Sequence, residues 1–290
     1  MATYEDFLYL YFYQLEIDLN SGTGKKELSK IKFQSEEANT DEYVKIFFQN
    51  YIQQNCKLFP SLNVKNVLID EDGVKRCASV TDLSKFTITK VYRPSELPHN
   101  LKRDIAESKH SVYTNPDLYI QISDGSGKHY YSSIELKTTK GDAIPGSSVQ
   151  QVNPKECVIF VKHDDHSAEV SCGHYMNSIT DRLPFPDRSP RPIIAFKTIK
   201  GWNRTNRVLN NGTLSYSYPL DSSRRKNDIL LNWEMVLCQE WLETIYKPSR
   251  GSEKWFNNTI RMYTLELLKI IERNPAEKEK LKKILLDNIK

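Results

Sequence analysis

The chain has 290 residues, 39% of them hydrophobic and 11% aromatic, which is ample for a buried core and excludes disorder throughout. Its five cysteines are scattered, odd in number and without a C-x-x-C pair, which argues against a disulfide framework or a zinc spacing and points to a reducing, cytoplasmic setting. The formal net charge of +4 is compatible with a polyanionic partner, and a membrane is not expected: no apolar run spans a bilayer, and the opening MATYEDFLYLYFYQLEIDL lacks a basic signal-peptide region.

In chain order, Tyr4 to Leu19 carries aromatic and apolar side chains at helical spacing. Thr40 to Gln54 opens on a Thr N-cap and an acidic first turn, so both stretches are expected to be helices. Between them SGTGKK, Ser21 to Lys26, lacks the spacing of a phosphate loop and a buried strand before it, and reads as an inter-helix loop. LKRDIAESKHS from Leu101 reads as a helix. From Asn115 to Lys200 the pattern changes to short β-rich runs, DLYIQI, YYSSIEL, ECVIFVKH and RPIIAFKTI, separated by turn-rich segments. After Trp202 a polar stretch, NRTNRVLNNGTLSYSY, leads to helical patterns at Asn227 to Ile245 and Asn257 to Glu272, and to a charged terminal helix in PAEKEKLKKILLDNIK. The expected fold is α/β, a single domain over 1–290 with a central mixed β-sheet flanked by helices. Within it 1–100 is mainly helical, 101–202 holds the core that would carry catalysis, and 203–290 is mainly helical.

The chemistry concentrates in NPDLYIQISDGSGKHYYSSIELK, Asn115 to Lys137. Gly125 and Gly127 supply positive φ for a hairpin loop, so one strand is expected to end near Ile122 and the next to begin near Tyr130. If the loop is centred on Ser126, the numbers of paired residues sum to 252, which sets Asp117 opposite Glu135. Opposed Cβ atoms lie about 4.5–5.5 Å apart, and two like charges there repel unless something neutralises them. A divalent cation would do so. Strand alternation puts Lys137 on the face of Glu135 while Leu136 points to the core. Two hard carboxylates with open positions suit Mg²⁺ better than a soft or fully caged metal. Lys137 is expected to position or deprotonate a water, or to stabilise the transition state of a phosphodiester hydrolysis.

Pro116-Asp117, seventeen intervening residues and Glu135-Leu136-Lys137 resemble the PD-(D/E)xK nuclease signature. Leu101 to Trp202 resembles the core of a type II restriction endonuclease, with TTKGDAIPGSSVQQVNPKECVIFVKH following the motif as a short helix and third strand do there. The rival triplet Glu107-Ser108-Lys109 precedes the Pro-Asp dipeptide and reads as helix, and Pro186-Asp187 has no triplet after it. The resemblance implies a restriction-endonuclease-like core with catalytic Asp117, Glu135 and Lys137. It further implies Mg²⁺ held by Asp117, Glu135 and the Leu136 backbone carbonyl, with Glu107 a candidate further ligand and Glu42 a weaker one. The expected function is a type II restriction endonuclease that cuts double-stranded DNA at a specific sequence, as a homodimer suited to palindromic sites. The alternatives are a structure-specific or repair nuclease on the same core, or a DNA-binding module that does not cleave.

Outside the hairpin, IPGSSVQQV reads as a Pro-Gly turn into a helix N-terminus, where Ser147, Ser148, Gln150 and Gln151 are candidate DNA contacts. KPSRGSEKWFNN, with Arg250 and Lys254 beside Trp255 and Asn257, is a candidate groove-entering loop. HDDH, His163 to His166, has the composition of a metal cluster but falls where the turn after a strand is expected.

Overall fold

The computed structural model describes residues 2–31, 33, 42–59, 63–71, 73–108, 116–149, 152–164, 166–180, 191–246 and 254–289, with backbone alone at 22, 104, 106–108, 220–223 and 254–256. They fall into two compact units, Met1–Asn232 and Trp233–Lys290. No helix among the described residues is long and apolar enough to cross a membrane.

The first unit opens with α1 (Tyr4–Asn20), nucleated by a capping box in which Thr3 and Asp6 each accept the other's backbone N–H. SGTGKK is helical where a loop is expected: α2 (Gly22–Leu28) follows directly. A Cβ on Gly24 would collide with the Asp18 carbonyl oxygen, so the glycine is what lets this turn fold back on the end of α1. Next come α3 (Glu42–Gln54), β1 (Asn66–Glu71), β2 (Val74–Ser79), α4 (Val80–Leu83) and β3 (Thr87–Tyr92). The region up to residue 100 therefore carries strands as well as the expected helices. After α5 (His99–Ser108) the chain forms β4 (Leu118–Ser123), β5 (His129–Thr139), β6 (Ala143–Pro145), β7 (Cys157–His163), β8 (Ala168–His174) and a 3₁₀ turn over Tyr175–Ser178. The run RPIIAFKTI is only briefly a strand. β9 (Ile193–Ala195) gives way at Phe196 to α6 (Phe196–Asn206), whose Phe196, Ile199 and Asn203 recur at helical spacing and are buried. The polar stretch beyond it is a hairpin, β10 (Arg207–Asn210) and β11 (Thr213–Tyr218), turned by Asn211 and Gly212 at φ 48° and 80°. The unit ends with α7 (Leu220–Leu231).

Two larger sheets organise these elements. The order β3-β4-β5-β7-β8 makes a five-stranded mixed sheet in which only β5 and β7 are parallel. The order β10-β11-β1-β2 makes a second, again with one parallel pair, β1 with β11. β6 and β9 form a short antiparallel pair. The architecture is the expected mixed α/β arrangement, with mixed sheets, flanking helices and a helical C-terminal region.

β7 reads CVIFVKH and is buried on both faces, as an interior strand beside a parallel neighbour requires. Ile159 and Val161 join Ile134 and Leu136 of β5 in the core beneath α1. On the opposite face Phe160 packs edge-on against Phe196 of α6. Glu135 and Lys137 pair in register with Val158 and Phe160 and so share that second face.

β8 is a sheet edge, and α1 covers it with side chains that substitute for a missing strand. Asn20 both donates to the Val170 carbonyl at 2.7 Å and accepts from its N–H at 2.8 Å, while Glu16 accepts from the Cys172 N–H at 2.6 Å. The device closes an edge that would otherwise be free to pair with another chain.

The second unit consists of α8 (Trp233–Tyr246), α9 (Lys254–Arg273) and α10 (Pro275–Asn288). The Arg261 guanidinium donates to the Thr244 carbonyl at 2.8 Å and ties α9 to α8. α10 starts with Pro in its first turn under an Asn274 cap and buries no residue, as its composition leads one to expect.

Replacing Asn20 with Ala removes two hydrogen bonds and strands the Val170 N–H and carbonyl. Urea denaturation should show a loss of about 1–3 kcal/mol with unchanged m-value; an unchanged midpoint would mean that α1 does not hold this edge.

Candidate functional site

The hairpin forms in the expected register. Leu118 pairs with Ile134 and Ser123 with His129, around a loop in which Gly125 and Gly127 have φ of 80° and 91°. Asp124 pins that loop by accepting from the Ser126 N–H and hydroxyl. One step beyond the last ladder pair, Asp117 faces Glu135. Its Oδ2 accepts the Leu136 N–H at 2.8 Å, so the strand backbone itself orients the carboxylate.

The N–H and carbonyl of a strand residue face the same neighbour. The Leu136 carbonyl is therefore turned to the same edge as Asp117. The register carried on sets Leu136 against Pro116, which has no N–H to give it. Asp117 and Glu135 line one cleft together with Lys137, and the Leu136 backbone meets Asp117 at the edge of β5.

Asp117, Glu135 and Lys137 are 6%, 6% and 5% exposed, so their charges need partners close by. Each carboxylate has its own lysine. Lys137 Nζ lies 2.8 Å from Glu135 Oε1, and Lys45 Nζ, reaching in from α3, lies 2.8 Å from Asp117 Oδ1. Burial and the nearby Glu135 raise the pKa of Asp117, against the opposing pull of Lys45 and Lys137. For Lys137 burial pulls downward, but Glu135, Tyr175 and Asp117 outweigh it and hold the ammonium above its ordinary value. In the protein alone, the direction is opposite to that needed by a general base near neutral pH, so of the expected roles water deprotonation is the one these neighbours oppose.

Ser147 and Ser148 are not at a helix N-terminus. Residues 146–148 are irregular and follow β6, because tertiary partners take the backbone groups a helix would use. The Gly146 N–H donates to the Pro192 carbonyl at 2.7 Å and the Ser147 N–H to the Tyr175 hydroxyl at 2.7 Å. Ser147 in turn donates its own hydroxyl to Glu135. Ser148 is buried. Burial raises the Tyr175 phenol to about 12, with Lys137 opposing the rise, so its hydroxyl stays neutral as the acceptor that seats Ser147.

Lys45, Asp117, Glu135, Lys137, Ser147 and Ser148 line a cleft of about 450 Å³ together with Glu42, Arg93 and Arg191. Arg93 bridges Glu42 and Glu96 at 2.9 Å each. A separate cavity of about 410 Å³, lined by Tyr9, Trp202, His174, Tyr216 and Tyr218, lies on the α1 side of the sheet, away from the carboxylates.

The remaining candidates fall elsewhere. The side chain of Glu107 on α5 lies outside the described residues, as do Gln150, Gln151 and Arg250; Lys254 is described only as the first backbone position of α9, not as part of a loop. His163 ends β7, is buried and stacks on Phe33 at 3.9 Å, while Asp164 caps the following turn through the His166 and Ser167 N–H groups. Sequence reasoning missed Lys45 and Tyr175. Lys45 carries no motif, and its only trace is a charged position beside the buried stripe Val44, Phe48, Tyr51 and Ile52.

No cluster of three or more His, Cys, Asp or Glu is present among the described residues. That donor set does not fit zinc. Two carboxylates facing an open cleft, Asp117 and Glu135, do fit Mg²⁺, which keeps several waters and binds through one or two carboxylates.

A Cβ on Gly146 would collide with the Tyr175 hydroxyl and stand 2.8 Å from the Pro192 carbonyl oxygen. Gly146→Ala and Tyr175→Phe should each cost about 1–3 kcal/mol, the first by overpacking and the second by leaving the Ser147 N–H unpaired. The double variant should lose less than their sum, since Tyr175→Phe removes one of the clashing atoms. Strict additivity in urea denaturation would contradict this packing. No protein-family model, curated protein or solved structure matches the chain, so its chemistry is read from these residues alone.

Proposed function

We propose that the protein is a Mg²⁺-dependent endonuclease of the PD-(D/E)xK kind, a type II restriction endonuclease that cuts double-stranded DNA at a specific sequence. The observation that carries this reading is the pair of buried carboxylates, one just before β4 and one on β5, each 2.8 Å from a lysine and both lining an open cleft. A structural ion pair needs one acid and one base. Two like acids brought together at a cleft suit the binding of a hard cation.

Asp117, Glu135 and the Leu136 carbonyl are the groups that would hold Mg²⁺, which supplies charge neutralisation at the phosphate and a more acidic water. The protein does the positioning. Ser147, seated by Tyr175, fixes the rotamer of Glu135, and the Leu136 N–H fixes Asp117. Lys137 keeps its proton on Nζ and donates a charge-assisted hydrogen bond to the attacking water or to a non-bridging phosphate oxygen as negative charge grows there. Arg93 and Arg191 on the cleft wall suit contacts to neighbouring phosphates. A homodimer would present two such clefts to the strands of a palindromic site. Cytoplasmic location belongs to the same reading, with all five cysteines free.

Phage DNA incubated with the protein and Mg²⁺ should give discrete bands. A smear would favour a structure-specific or repair nuclease, and intact DNA a non-cleaving module. With Ca²⁺ in place of Mg²⁺, binding should persist without cutting. Asp117→Asn and Glu135→Gln should abolish cleavage, and Lys137→Met should slow single-turnover cleavage by ~10²-fold or more while leaving binding in Ca²⁺ intact. Folded variants cutting at the wild-type rate would refute the assignment.

A further inference from the structure

We propose that Lys45 is an internal counter-ion that keeps the site from loading a divalent cation until a DNA phosphate arrives. The inference rests on the nuclease reading of the site and adds an order of events to it.

The charges around the site are these. Asp117 and Glu135 face Lys45 and Lys137, while at the cleft wall Arg93 pairs with both Glu42 and Glu96, and Arg191 adds a further positive charge. The inner four groups, two acids and two bases, are formally balanced. Cation affinity follows the number of uncancelled anionic ligands, so a divalent ion meets a site with little net charge to attract it.

Geometry makes Lys45 the decisive partner. Its side chain is 13% exposed and that of Asp117 is 8% exposed. A cation taking Asp117 would leave the Lys45 ammonium largely buried beside a positive ion and without its carboxylate. Losing the partner of a buried charge is strongly unfavourable. A DNA phosphate relieves both problems at once: its oxygens bring negative charge to the cation and offer the ammonium a new acceptor. Lys137 is not assigned this part, because it shares a strand face with Glu135 two residues away, so the backbone itself keeps the two neighbours.

The consequence is positive coupling between cation and DNA, equal in both directions by linkage. The test is calorimetric titration with Ca²⁺ of wild type, Lys45→Met and Lys45→Arg without DNA. The titration is then repeated with a short duplex carrying the cleavage site mapped by digestion. Wild type and Lys45→Arg should bind Ca²⁺ weakly alone, and DNA should tighten wild-type binding by about tenfold or more, the scale of one charge contact. Lys45→Met should bind Ca²⁺ about tenfold more tightly alone and lose most of the DNA enhancement.

Equal Ca²⁺ affinities for DNA-free wild type and Lys45→Met would overturn the proposal, even if wild type cuts DNA. Should Lys45→Met not fold, wild type alone decides, because Ca²⁺ affinity unchanged by DNA also overturns it. Absence of Ca²⁺ binding under every condition, together with absence of cutting, would remove the nuclease reading as well.

Discussion

Two largely buried carboxylates facing each other across a strand pair constitute the constraint around which this site is built. Two buried negative charges at that spacing are unfavourable by several kcal/mol in order of magnitude unless each is matched. The matching comes from three separate parts of the chain: Lys137 two residues along the strand from Glu135, Lys45 on α3, and Ser147 beyond β6. None of this is an economical way to stabilise a sheet, since a pair of apolar residues would fill the same volume without the desolvation. A balanced buried cluster that opens onto a cleft is the kind of place where functional sites concentrate, and the proposed function rests on that.

The rest of the first unit serves to hold that cluster still. β5 runs from the hairpin through the site, locked between β4 and the buried β7. Its alternation places Leu136 in the α1 core, so Glu135 and Lys137 cannot slip without pulling an apolar anchor into the polar face. The carboxylate rotamers are in turn held by a chain of hydrogen bonds, from Tyr175 through Ser147 to Glu135 and from the Leu136 N–H to Asp117. Preorganisation of this kind is what separates residues that are merely present from residues that can act.

The parts of the site legible in sequence were the local ones. Hairpin register followed from two glycines and a symmetric loop, because in an antiparallel pair the turn determines every pairing beyond it. Lys45 was illegible because a helix far upstream in sequence brings it to Asp117, and no spacing rule links α3 to β4. The turn at Ser147 was misread because its N–H groups bond to Pro192 and the Tyr175 hydroxyl, partners known only once the chain has folded. The hairpin at β10 and β11 is different: Asn211-Gly212, followed by the alternating Leu214, Tyr216 and Tyr218, is a strand signal that the surrounding polar residues obscured.

The two lysines are not equivalent, and the difference bears on how the site would work. Lys137 is two residues from Glu135 on the same face of one strand, so the pleat keeps their Cβ atoms neighbours. The anionic neighbours that raise its pKa also keep it a donor, so in the proposed hydrolysis the proton of a water nucleophile would be better received by solvent or by a phosphate oxygen than by this amine. Lys45 stands on a different element and touches Asp117 only through the tip of a four-carbon side chain, which can swing by rotamer change alone. In the proposed nuclease, one cation stays beside Glu135 and the other would exchange partners. A site needs the first to meet growing charge during the reaction and the second to remain neutral before it begins.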